Sequence, residues 1–116
     1  MKSKNRMYAL GRLKQGQMNK TESAYVERLE RLKMVGEILW YKFEGIKFRL
    51  ADNTFYTPDF MIMTNACEII VHEVKGYMMD DANVKVKVAA ELYPFRFFIV
   101  RKQKIKDGGG WDIREV

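Results

Sequence analysis

Cysteine and histidine are each present once in 116 residues, and that scarcity removes several chemistries at the outset. Cys67 alone permits neither an intramolecular disulfide nor a cysteine-based zinc cluster. No apolar run approaches the roughly 18 residues of a membrane span. The first residues are charged and lack the apolar segment of a secretory signal. The expectation is a cytoplasmic protein with no membrane partner. Acid is missing from residues 1–20, which carry Lys2, Lys4, Arg6, Arg12, Lys14 and Lys20. Of 21 basic and 15 acidic side chains, those six fall here, so the rest of the chain is neutral and the net charge of +6 sits in this segment. Such an arm is either a solvated tail or a segment that tracks phosphate backbones and releases their counterions. Residues 1–18 show no sustained period and read as a flexible basic arm. Residues 19–116, in a chain that is 47% hydrophobic, read as one domain with one core.

What is present centres on residues 57–76, where Thr-Pro-Asp-Phe is followed by Glu-Val-Lys-Gly. The apolar runs 55–63 and 68–74 read as strands joined by a short loop that carries Asn65. Pairing Met63 with Ile69 puts Asp59 opposite Glu73, with Cβ atoms about 4.5–5.5 Å apart. Two carboxylates that close repel, and a divalent cation would relieve them. Lys75 falls on the same face as Glu73, because strand side chains alternate. His72 falls on the other face with Ile70 and Val74, so the one histidine points away. No Ser or Cys stands in a nucleophile's setting, which argues against a covalent hydrolase.

Around this centre, Asn19 and Glu22 form a capping box for a helix over 20–35 that stops at Gly36. Tyr25, Val26, Leu29 and Leu32 are its apolar stripe. Glu22 has two readings: its carboxylate serves the helix terminus, or it reaches toward Asp59 and Glu73, and both can hold at once. Residues 38–50 read as one bent strand or two short ones, with Trp40, Tyr41 and Phe43 as core in preference to base-stacking surface, and Asp52-Asn53 as a turn. Pro58 favours an edge, a strand start or a bulge that re-aims Asp59. A second helix is expected over 82–93, capped by Asp80 or Asp81, with Val84, Val88 and Leu92 as a stripe. Lys85 and Lys87 near its start either reach phosphate or form a solvated face. Residues 95–100 read as a buried strand parallel to the one holding Glu73, followed by a basic patch at Arg101, Lys102, Lys104 and Lys106, a glycine turn and a short closing strand.

Asp, then Glu-x-Lys on the next strand, with Pro before the Asp, resembles the active-site pattern of the PD-(D/E)xK nuclease superfamily. The Asn-Lys-Thr-Glu start at 19–22 is similar to that of its small phage and prophage-encoded endonucleases, and the resemblance spans residues 19–101. It implies an α/β (α+β) fold, a mixed central sheet flanked by helices in the order α-β-β-β-α-β, with a restriction-endonuclease-like core. It implies catalytic roles for Asp59, Glu73, Lys75 and Glu22. Asp59, Glu73, the Val74 carbonyl and Glu22 would hold Mg²⁺ or Mn²⁺, and DNA would be the substrate, with Lys14, Lys20, Lys85 and Lys87 as candidate phosphate contacts. A nucleic-acid binder that does not cleave, and a structural protein with an accidental acid pair, are the alternatives. A homodimer is an open alternative to a monomer.

Overall fold

A computed structural model of the chain describes residues 16–76 and 84–116. Helix α1 (Lys20–Met34) starts on Asn19, whose side chain accepts from the Glu22 N–H at 2.8 Å while the Glu22 carboxylate accepts from the Asn19 N–H at 2.9 Å. The predicted capping box is therefore complete. At the far end Gly36 takes a left-handed φ of 81°, and the Gly36 and Glu37 N–H groups donate back to the Lys33 and Leu32 carbonyls. That double bond is the Schellman ending, which needs a residue without a Cβ penalty at this position.

Among the described residues seven strands follow: β1 (Ile38–Phe43), β2 (Phe48–Ala51), β3 (Thr54–Tyr56), β4 (Phe60–Thr64) and β5 (Ile69–Lys75), then helix α2 (Val84–Leu92), then β6 (Arg96–Lys102) and β7 (Trp111–Glu115). Five of them form one mixed sheet in the order β1-β4-β5-β6-β7, and β2 and β3 form a separate hairpin. Only β5 and β6 run parallel, across the α2 connection, and Met63 pairs with Ile69 in the expected register. The sheet is thus mixed and flanked by helices as expected, but the element order has five strands before the second helix and two after it.

Two apolar clusters lie on opposite faces of the sheet. Helix α1 packs Tyr25 and Leu29 against Ile38, Phe60, Ile62, Val74 and Val100. Helix α2 and the β2–β3 hairpin pack Val86, Ala89, Phe48 and Tyr56 against Met61, Val71 and Phe97. Strand β5 contributes to both, so it is buried on each side.

Several expectations need correction. The run 55–63 is not one strand: β3 ends at Tyr56, and the chain crosses from the hairpin to the main sheet through 57–59. Pro58 sits fully buried at that crossing, where its missing N–H costs no ladder bond. In α2 the buried side is Val86 and Ala89, while Val84 and Leu92 are 71% and 54% exposed. Trp40 is 43% exposed, because β1 is an edge strand; Tyr41 and Phe43 do pack on the core. Met18 also packs against the α1 cluster. The expected caps Asp80 and Asp81, and most of the basic arm, lie outside the described residues. No described helix is long and apolar enough to cross a membrane.

Candidate active site

The β4–β5 ladder ends at Phe60↔His72, and one further step of that register sets Asp59 across from Glu73. Instead of a ladder bond, the Asp59 Oδ2 accepts the Val74 N–H at 2.8 Å. The Asp59 carbonyl accepts the Glu44 N–H at 2.8 Å, which holds the residue's own backbone in line with β1. In a strand, the N–H and C=O of one residue point to the same edge, so the Val74 carbonyl also faces the gap left where β4 begins.

Glu73 is held from two sides. Its Oε1 accepts the Tyr56 hydroxyl at 2.6 Å, and its Oε2 lies 3.6 Å from the Lys75 ammonium. Glu73 and Lys75 side chains are only 12% and 13% exposed. Glu22 serves the cap, and it also bears on Asp59, whose carboxyl it helps to raise. Burial pushes the Asp59 carboxyl up to about 9, the Glu73 charge and Glu22 push the same way, and the Val74 N–H pulls back. Burial raises Glu73 as well, against the opposing pull of Tyr56 and Lys75. The Tyr56 phenol is raised by burial and by the neighbouring carboxylates, so it stays protonated and acts as a donor.

This donor set suits a hard cation. It consists of carboxylate and carbonyl oxygens, and burial, with the Glu73 charge adding to it, lifts Asp59 out of its usual range. The three acids do not form a closed cage: among the described residues no group of three Asp, Glu, His or Cys side chains is spaced to hold an ion unaided.

His72 is on the opposite face, as expected. It is buried, its Nδ1 lies 2.7 Å from the Tyr25 hydroxyl, and its ring packs edge-on against Phe98. The proposed phosphate contacts are dispersed. Lys14 lies outside the described residues. Lys20 is exposed at the first turn of α1. The Lys85 ammonium donates to the Phe55 carbonyl at 2.9 Å, which ties α2 to the hairpin. Lys87 lines a groove of about 730 Å³ with Ile99, Arg101 and Arg114. Ile99 and Arg101 are the β6 partners of Glu73 and Lys75, so this groove adjoins the site.

Tyr56 is the site residue that sequence reasoning missed. With 55–63 taken as one strand, alternation assigns Tyr56 to the face opposite Asp59. The break at 57–59 reverses the phase, and Tyr56 turns inward with Met61 and Val71. The signal available was the Asp52-Asn53 turn, which closes a hairpin that must end before Pro58. None of the family models, curated proteins or solved structures compared with the chain matches it.

Proposed function

We propose that this protein is a metal-dependent DNA endonuclease of the PD-(D/E)xK kind, with a restriction-endonuclease-like core, acting within the cytoplasm. The observation that carries this reading is the 2.8 Å bond from Val74 N–H to Asp59 Oδ2, which docks one part-buried carboxylate beside another and beside Lys75. Asp59 and Glu73 would hold Mg²⁺ or Mn²⁺, with the Val74 carbonyl and Glu22 in support. A divalent cation there supplies Lewis-acid activation of a water and neutralises charge on the phosphate. Lys75 orients the attacking water and faces the negative charge that builds on the phosphoryl oxygens. Water adds to phosphorus, the bond to the 3′ oxygen breaks, and the products carry 5′-phosphate and 3′-hydroxyl ends. Lys14, Lys20, Lys85 and Lys87 contribute phosphate contacts, and two-fold pairing of chains would supply a second site for the other strand.

The 3.6 Å contact between Lys75 and Glu73 supports a second reading, a salt-bridged site that binds nucleic acid without cutting it. Incubation with linear, single-stranded, flapped and four-way DNA, in Mg²⁺ or in EDTA, separates the two. Cutting in Mg²⁺ alone is expected, with Asp59→Ala reducing it to background and Lys75→Ala lowering it about 10²–10³-fold. Binding without metal-dependent cleavage on any of these substrates removes the enzyme reading.

A further inference from the structure

We infer that Tyr56 is a positioning residue for the proposed reaction: its hydroxyl holds Glu73 in the orientation that faces Asp59. This rests on the endonuclease reading and adds a residue to it. The O–H···O distance of 2.6 Å is that of a charge-assisted bond, stronger and more directional than one between neutral groups. The ring that carries the hydroxyl is immobilised. It is 5% exposed, stacks on Phe48 at an interplanar angle of 18°, and belongs to the cluster beneath α2. The hairpin that carries the ring is not part of the main sheet, yet it is tied to α2 and the segment after it. Lys85 donates to the Phe55 carbonyl at 2.9 Å, and the Tyr93 hydroxyl donates to the Arg49 carbonyl at 2.6 Å. A phenylalanine at position 56 would fill the same space, so only the hydroxyl is left to account for, and its partner is the site's carboxylate. With Oε1 taken by Tyr56 and Oε2 turned toward Lys75, Glu73 has little freedom to rotate out of the site.

The test compares the full-length wild type with Tyr56→Phe and Tyr93→Phe. Each variant removes one hydroxyl from the network that holds the hairpin, but only the first touches Glu73. Mn²⁺ affinity is read by titration calorimetry, cleavage by kcat and by KM for DNA, and folding by circular dichroism. Tyr56→Phe is expected to weaken Mn²⁺ binding about tenfold and to raise the Mn²⁺ concentration at half-maximal rate equally, with KM for DNA unchanged. Tyr93→Phe is expected to leave both at the wild-type value. The inference is overturned if Tyr56→Phe matches the wild type, or if Tyr93→Phe loses as much, since the effect is then one of hairpin stability. A wild type that neither binds Mn²⁺ nor cuts DNA removes the endonuclease reading and this inference with it. That result is visible in the wild-type arm alone.

Discussion

Strand β5 carries a titratable group on each face, at adjacent positions, His72 buried and Glu73 part-buried, and each meets a tyrosine hydroxyl. On the α1 face, His72 lies 2.7 Å from the Tyr25 hydroxyl, with the Arg28 charge close to both. On the α2 face, Glu73 accepts the Tyr56 hydroxyl at 2.6 Å. Burial is the largest influence on both, because it disfavours whichever form is charged. The outcomes differ. For His72, burial and the Arg28 charge push the imidazole down to about 3, and the neutral ring needs nothing more. For Glu73 the same force works against a carboxylate that lies beside Asp59, with Tyr56 and Lys75 opposing it. One face keeps its titratable group neutral, and the other sets two part-buried carboxyls beside Lys75. That contrast, more than the motif, makes the acid face the candidate for chemistry.

The largest effect that can break this contrast is the pH dependence of stability in EDTA. Asp59 titrates near 3.8 unfolded and about 9 folded. Between those values the folded protein binds more protons than the unfolded chain, so stability falls as pH rises. His72 titrates near 6.5 unfolded and about 3 folded, so the unfolded chain binds more protons there and stability falls as pH drops below 6.5. The two slopes oppose each other between about pH 4 and 6.5 and leave a plateau. Above 6.5 the histidine slope is gone and the Asp59 slope remains, about 1.4 kcal/mol per pH unit for that one group, with the raised Glu73 acting in the same direction. Thermal melts from pH 6.5 to 9 should show that decline. Asp59→Asn, which keeps an acceptor for Val74, should flatten it, and saturating Mg²⁺ should reverse it in the wild type. A wild-type profile that is level over this range in EDTA would mean the acid face is as satisfied as the histidine face.

The contrast was partly legible in the sequence. Period-two alternation separated His72 from Glu73 and Lys75, and the short loop after Met63 set a register that the ladder reproduces. The capping box was legible because it depends on residues three apart and on no tertiary contact. What depended on the rest of the fold was not. In α2 the valines and alanines offer two apolar stripes, and the position of the sheet selects Val86 and Ala89 over Val84 and Leu92. Trp40 is in a strand as expected, but its exposure follows from β1 being an edge, a property of the sheet order. Tyr56 was hidden by the reversal of phase at 57–59. The Asp52-Asn53 turn marks the hairpin, but the assignment of its second strand and of β4 to different sheets depends on the fold.

A smaller effect sharpens the comparison from the other face. Tyr25→Phe removes the hydroxyl beside His72 and leaves the ring against Phe60 and Trp111. A buried hydrogen bond of this kind contributes about 1–2 kcal/mol, so urea unfolding should show a loss of that order. Mn²⁺ affinity and cleavage should stay at the wild-type level. If Tyr25→Phe weakens metal binding as much as Tyr56→Phe, the two faces are mechanically coupled through β5 and the division between them fails.

The smallest effect concerns Glu22, which spans both roles. Glutamine at the third helical position can still close a capping box. Glu22→Gln therefore keeps the helix start and removes one negative charge beside Asp59. The Asp59 carboxyl should then move back toward its ordinary range, and the alkaline loss of stability in EDTA should shrink by less than about 1 kcal/mol. Asn19→Ala does the reverse, since it breaks the cap and leaves the charge in place. Its cost should be about 1 kcal/mol, and the same at every pH between 6.5 and 9. If Glu22→Gln instead shifts the melting curves by the same amount at every pH, Glu22 acts on the helix alone and Asp59 is raised without it.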